Sequence, residues 1–515
     1  MKLLSAYTDK SFAVAMTLCL ATALCFTSCT NDDSTEAMKD PGNISISGID
    51  KEGYTAVSYC GNYLDIKPEV KSSFDKSELK YEWLLYKNSE NNNLDDSHYD
   101  IYHGTGKDFD IGKIELISTS QDLHYEVNLQ PEEYTLALRV TAPNGIQTYE
   151  ETILQTITTL SDGYYILKET ADGNTDFDMC MDGDKAMSEN IISAVQGKPM
   201  KGKPLTMGVA FNHSYTDNDG EFKACNLVSA TTESGNFKAF STNDFSEIFN
   251  RTNMLYAGSL DDDEIPYGFS NGVFSIFFTT SKGIRSQYDA STSGAGSGMY
   301  GDSPIKSGSR FFVGGSYCTV VWDEKGESFY YSDYNGSTFP TEIIYPGFKC
   351  LDCGRNSADQ AFFILEDATG ARKLITISMT FAGASLASDV DLLPDSHIGK
   401  AADFTVCYSG ASFIYCLDGN KIYTYNLVNG EETELSFSGF DPNEKISYIS
   451  CNAYGYAKNM RLIIGTQNEK QYTLRFYPMI GGKPDGNPDI TCRGTGYVKS
   501  VRHTSISQTN STEQD

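Results

Sequence analysis

Six histidines, one CxxC and a scatter of acidic residues are the side chains from which this 515-residue chain could build chemistry. His98, His103, His124, His213, His397 and His503 fall into no HxH, HxxH or HExxH spacing, so no zinc-hydrolase ligand set is presented. Cys350-Leu351-Asp352-Cys353 lacks the second cysteine pair that a zinc ribbon requires. A thioredoxin-like site opens a helix after a strand, whereas Gly354-Arg355-Asn356 reads as a turn. Asp172-Gly173-Asn174-Thr175-Asp176-Phe177-Asp178 alternates oxygen donors as a calcium loop does at its start. Phe177 stands where that loop needs glycine and Gly183 where a bidentate Glu closes it, so a polar hairpin turn is the simpler reading. No GxSxG elbow or P-loop occurs, and the glycine-rich stretch from Gly294 to Gly301 lacks a strand–helix setting. Paired carboxylates for glycoside hydrolysis can lie far apart in sequence, and position alone singles out no pair. The expectation is therefore a protein without catalytic residues, metal or cofactor.

The elements that would position any site read as strands. Tyr (33) and Phe (28) dominate the aromatics, Trp is nearly absent (2), and no long stretch keeps helical periodicity. An all-β chain of two or three domains follows. The formal charge of −29 repels nucleic acid, and no run of Lys and Arg offers a basic patch to offset it. Of the cysteines, Cys407 and Cys416 sit in apolar strand-like runs and read as buried thiols, while spacing assigns no disulfide.

The first 28 residues read as a secretory signal, with Lys2 and Lys10 ahead of the apolar run Phe12 to Phe26. Phe26-Thr27-Ser28-Cys29 resembles the lipobox of bacterial lipoproteins, with Phe26 where Leu is usual. That resemblance implies lipidation at Cys29 and an outer-membrane anchor. The acidic pair Asp32-Asp33 is similar to the surface-export signal of Bacteroidota lipoproteins. Residues 29–43 are polar, contain Pro41-Gly42, and read as a tether.

From 44 to 160 the chain alternates with period two. Tyr81, Trp83 and Leu85 share one strand face; Tyr134, Leu136, Leu138 and Val140 share another. A Trp on a middle strand and a Tyr opening a late one fit an immunoglobulin-like sandwich. The segment from Pro131 to Gly145, with Tyr81-Glu82-Trp83 upstream, resembles PKD-type domains.

Beyond residue 161 a strand–turn–strand unit recurs seven times, beginning near Tyr164, Leu227, Val273, Val320, Phe362, Phe413 and Leu462. After a wider first gap the starts are about 42 to 51 residues apart, the period of a four-stranded propeller blade. A seven-bladed β-propeller over 161–503 is predicted, with a polar tail from 504 to 515. Signal, lipobox, PKD-like module and the string Asp162-Gly163-Tyr164-Tyr165-Ile166-Leu167-Lys168-Glu169 together resemble the PKD-like family of Bacteroidota lipoproteins. The resemblance implies a non-catalytic, surface-exposed accessory subunit capturing glycan or peptide beside a starch-utilisation-type transporter and partner lipoproteins. The alternative is a propeller hydrolase or lyase whose carboxylates converge at the central channel.

Overall fold

The computed structural model describes residues 42–59, 61–86, 114–181, 187–216, 222–255, 259–271, 275–288, 307–333, 336–356, 358–406, 413–441, 443–452 and 460–505. Cys29, Asp32, Asp33, Cys60, His98, His103, Cys407 and the stretch from Gly294 to Gly301 lie outside these residues.

The N-terminal module is an immunoglobulin-like sandwich. One layer is a five-stranded sheet ordered Tyr54–Val57, Gln147–Ile157, Glu133–Thr141, Lys80–Tyr86, Glu115–Ser118. Facing it are the pairs Ile44–Ser47 with Glu69–Ser72 and Tyr63–Ile66 with Leu123–Glu126. Period two puts Leu64, Ile66, Trp83, Leu85, Tyr134, Leu136, Leu138 and Val140 into one core. Two buried polar tips find carbonyl partners. The Trp83 indole N–H donates to Gln121 O at 3.2 Å, and the Tyr134 hydroxyl to Gln130 O at 3.2 Å, a tie four residues upstream as in a tyrosine corner.

Seven sheets follow, and they form a seven-bladed β-propeller. Each recurring hairpin of the sequence is the central pair of strands in one blade, for example Gln360–Asp367 with Arg372–Thr380. The innermost strands of blades 2 to 7 are Pro204–Thr216, Pro266–Asn271, Phe312–Gly314, Phe348–Asn356, Asp403–Val406 and Ile446–Asn452. Blade 1 takes its innermost strand from the other end of the chain. Tyr497–Thr504 pairs with Gly163–Glu169 and closes the ring, running one residue past the tail boundary read from sequence. The ring leaves no open sheet at its two ends. Cys180 and Cys492 form a disulfide across the same closure, between blades 1 and 7.

Every junction between neighbouring blades has its own apolar cluster. The smallest, between blades 3 and 4, has Phe277, Ile284 and Val321 as its fully buried members. Where inner strands crowd at blades 2 and 3, glycine is required. A Cβ on Gly208 would come within 2.5 Å of Phe269 N, and Gly268 has φ +139°.

Topology fixes which face carries what. Gln147–Ile157 feeds Gly163, the start of the second strand of blade 1, so the sandwich joins the face where first strands end. Thr158 Oγ1 donates to Asn243 O at 2.5 Å, in a turn on that same face. Tyr59, buried and with φ +60°, shares a cluster with Leu160, Tyr165 and Phe245. It thereby tethers sandwich to propeller, holding a left-handed conformation that tyrosine seldom adopts. Tyr59→Ala is expected to leave propeller melting nearly unchanged while loosening the two modules. Small-angle scattering should show a larger radius of gyration, and an unchanged radius would mean the contact does not set the orientation.

Candidate functional site

The seven innermost strands surround a central cavity of about 400 Å³, lined from every blade. Each inner strand has one edge without a strand partner, so its backbone groups face the channel or the next blade. Side chains take up several of them. Ile449 N–H donates to Asp403 at 3.2 Å, Cys451 N–H to Thr405 Oγ1 at 2.8 Å, and Val501 N–H to the Tyr448 hydroxyl at 2.9 Å. Arg355, fully buried, reaches Gly314 O at 2.9 Å and Asp359 at 2.5 Å, tying blade 5 to blade 4.

Six charged side chains line the cavity: Arg310, Asp352, Arg355, Asp403, Lys499 and Arg502, of which Arg355 is taken up by Asp359. They come from blades 4, 5, 6 and 1. Asp403 opens its strand, Lys499 is third in its own, and Arg310 lies just ahead of Phe312–Gly314. These sit at the mouth on the face opposite the sandwich, together with Leu205 and Tyr267. Asp352 and Arg502 lie further along their strands and deeper in the channel. Register shifts interrupt five inner strands, between Pro204 and Thr206, Pro266 and Gly268, Cys350 and Asp352, Ile446 and Tyr448, and Val498 and Ser500. Bulges of this kind re-aim side chains, and Leu205, Tyr267 and Leu351 at three of them line the cavity.

Enclosure by the channel walls sets the electrostatics. Asp352 keeps some accessible surface inside the cavity yet is surrounded by protein; burial, then the neighbouring Asp403, pushes its carboxyl up to about 7. The Cys353 N–H at 2.8 Å and the guanidinium groups of Arg502 and Arg310 act against that rise. Burial likewise raises Asp403 to about 6, against the N–H groups of Ile449 and Phe404 and the charge of Lys499. Lys499 is shifted down, first by burial and then by Arg310. A carboxyl whose folded pKa exceeds its unfolded one costs no stability below the unfolded pKa, and its full cost is reached above the folded pKa. Asp352→Asn is therefore expected to change stability little near pH 4 and to stabilise at pH 8, the gain appearing as pH rises toward 7. Urea midpoints of both proteins across that range check it; a constant difference would place Asp352 in solvent.

The motifs weighed from sequence fall elsewhere or change meaning. Gly354-Arg355-Asn356, read from sequence as a turn, continues the strand Phe348–Asn356 that also holds Cys350 and Cys353; the two cysteines are not bonded to each other, and burial raises the Cys350 thiol well above its usual range. Asp172 and Gly173 do form a turn, but Asp176 and Asp178 lie buried in the strand Thr175–Met181. Asp176 accepts from the Ile192 N–H at 2.9 Å and so caps the short helix Ile191–Gln196, while Asp178 pairs with Lys168 at 2.6 Å. Among the described residues no group of three His, Cys, Asp or Glu is placed to hold a metal. Cys416 is a buried free thiol. His213 is buried and held down to about 4 by desolvation; His397 bonds Asp418 at 2.7 Å on the outer part of blade 6, away from the channel. The absence of Lys and Arg runs did not preclude a basic cluster, since folding brings Arg310 beside Lys499 and Arg502 of the closing strand, nearly 200 residues away in sequence. Sequence reading missed all six channel charges; for Arg310, Asp352, Arg355 and Asp403 the signal was a charged residue in the short segment upstream of a blade hairpin, whereas Lys499 and Arg502 lie in the closing strand.

Residues 29–204 match the model of the PKD-like family. No curated protein matches the chain. Among solved structures, a catalytically inactive virginiamycin B lyase from Staphylococcus aureus is 15% identical, covering 62% of this chain and 97% of its own, with a TM-score of 0.37. Apo AztD from Citrobacter koseri is 12% identical, over 66% of this chain and 100% of its own, with a TM-score of 0.34. A DUF4784 family protein from Bacteroides caccae is 8% identical, over 78% of this chain and 97% of its own, with a TM-score of 0.31.

Proposed function

We propose that this chain is a lipid-anchored, surface-displayed binding protein that captures a glycan or peptide at the mouth of its propeller channel. It would serve as a non-catalytic accessory subunit of an outer-membrane uptake system, beside a starch-utilisation-type transporter and partner lipoproteins. The observation that carries the binding reading is the convergence of seven inner strands on one cavity with charged and aromatic residues at its mouth. The address rests on the lipobox-like Phe26-Thr27-Ser28-Cys29 and on Asp32-Asp33. Tether, sandwich and propeller follow in chain order, and the channel mouth opens on the face away from the sandwich. An anchor at Cys29 would then leave that mouth facing outward.

One observation favours a second reading, an envelope hydrolase or lyase. Asp352 and Asp403 are electrostatically coupled carboxyls raised toward neutrality, as a general acid must be. The mature chain carrying Cys29→Ser, applied to glycan and peptide arrays, separates the two. Capture without product, weakened severalfold or more by Tyr267→Ala, supports binding. Product release abolished by Asp352→Asn or Asp403→Asn would replace it with the enzyme. Capture indifferent to every channel substitution would remove the channel from both. The address is tested separately by labelling with a palmitate analogue; an unlabelled, soluble mature protein would overturn it.

A further inference from the structure

We infer that the channel mouth selects a ligand carrying a compact oxyanion, foremost the carboxylate of an acidic sugar, over its neutral counterpart. The inference rests on the channel being the binding site and names what it would bind. Arg310, Lys499 and Arg502 all line the cavity, and none forms an ion pair among the described residues. Elsewhere most buried and half-buried cations are taken up by carboxylates, Lys168 by Asp178, Arg285 by Glu264, Arg355 by Asp359, Arg372 by Glu366 and Arg475 by Glu444, while Arg251 is taken up by backbone carbonyls. In a chain with 69 acidic and 40 basic residues, carboxylate partners are plentiful. Three cations turned into one cavity without one are therefore held for something else.

The two carboxylates of the cavity feel these cations electrostatically but form no ion pair with them among the described residues, and their hydrogen bonds run to backbone N–H groups. Asp352 accepts from Cys353, and Asp403 from Phe404 at 3.0 Å as well as from Ile449. With Arg355 neutralised by Asp359, three cations against two carboxylates leave one positive charge when both aspartates are ionised, and more when either is protonated. Guanidinium and ammonium groups give the strongest hydrogen bonds to oxyanions, and low-dielectric walls amplify them. Tyr267 and Tyr448 add ring surface to the lining, suited to a sugar face. A cavity of about 400 Å³ lies at the small end of ligand sites, which favours a compact group over a long polymer segment. The overall charge of −29 does not cancel this attraction, because physiological salt screens exposed charges beyond roughly 8 Å.

Calorimetry on the mature chain with Cys29→Ser tests the inference, using glucuronate and galacturonate, the parent neutral sugars, and a short peptide with a free or an amidated C-terminus. The acidic member of at least one pair is expected to bind tenfold or more tighter than its neutral partner. Arg502→Gln and the double variant Arg310→Gln/Lys499→Gln should each cut that binding about tenfold or more. Arg310 and Lys499 are exposed, so the double variant keeps the fold should Arg502→Gln lose it. Binding should also weaken from pH 5.5 to pH 8 as Asp352, facing Arg310, Arg502 and Cys353, and Asp403, facing Lys499 and Tyr448, ionise; Glu169 and Glu233 bear on Lys499 throughout. Preference for the uronates identifies a sugar acid as the source, and preference for the free C-terminus a peptide. Equal binding of acid and neutral partners, weakened by Tyr267→Ala but not by the charge variants, would overturn this inference and leave the channel as the site. No binding of any acid at millimolar concentration overturns it too, whereas array ligands indifferent to every channel variant would sink the binding reading beneath it.

Discussion

Asp178→Ala is expected to lower the stability of the propeller by about 3–5 kcal/mol, the cost of breaking a buried ion pair by deleting one partner. The Asp178 carboxylate is fully buried and carries three contacts at once. Lys168 Nζ lies at 2.6 Å, the Tyr472 hydroxyl donates at 2.6 Å, and the Asn190 N–H donates at 2.7 Å. Lys168 and Asp178 sit on neighbouring strands of blade 1, while Tyr472 belongs to blade 7, so the cluster spans the ring closure. Removing Asp178 leaves an ammonium group in a dry interior with nothing to replace its water. Removing both charges is a different experiment, because apolar pairs of similar volume are often as stable as the ion pair they replace. Lys168→Met/Asp178→Leu should thus recover more than half of the loss seen with Asp178→Ala. Urea unfolding of the three proteins decides it; a double variant no better than the single one would mean that packing, not the stranded charge, sets the cost.

How much of this was legible depends on the range over which each feature is encoded. The sandwich core was readable because Trp83, Tyr134 and their period-two neighbours sit on long strands with one buried face. The seven hairpins were readable for the same reason, since both strands and their turn are contiguous. The inner strands were not. Phe312–Gly314 has three residues and Asp403–Val406 four, too few to show a period, and their polar, channel-facing positions break the apolar alternation. The closing strand Tyr497–Thr504 falls within the propeller bounds read from sequence except for its last residue, but its role as the innermost strand of blade 1 depends on a partner more than 300 residues earlier.

The same reasoning explains why charge was misjudged. A search for runs of Lys and Arg detects basic patches built on one helix or loop, whereas a closed ring assembles its channel from residues of different repeats. Arg310 is remote in sequence from Lys499 and Arg502, which share the closing strand, and joins them only because innermost strands face one axis. In a closed propeller, the informative set is the residues at matching positions of successive repeats.

Removing the disulfide by Cys180→Ala/Cys492→Ala should produce the largest loss of all. The cysteines are 312 residues apart, so the crosslink closes almost the whole propeller into one loop in the unfolded chain. Loop-closure entropy for that length corresponds to about 6 kcal/mol, or roughly 8 °C in melting temperature for a domain of this size. The loss should nevertheless leave a folded protein. Tyr497–Thr504 still pairs with Gly163–Glu169, and Tyr164, Ile166, Phe476 and Val501 still fill the junction between blades 1 and 7. Strand pairing and apolar contact hold the ring natively, whereas the disulfide acts mainly by limiting how far the unfolded chain can spread. Reductant should therefore lower the melting temperature of the parent toward that of the variant and leave the variant unmoved, with ligand capture at the channel mouth intact in both below their transitions. Equal melting of parent and variant would show that strand closure alone secures the ring; loss of capture well below the melting transition would show that the crosslink shapes the native channel as well.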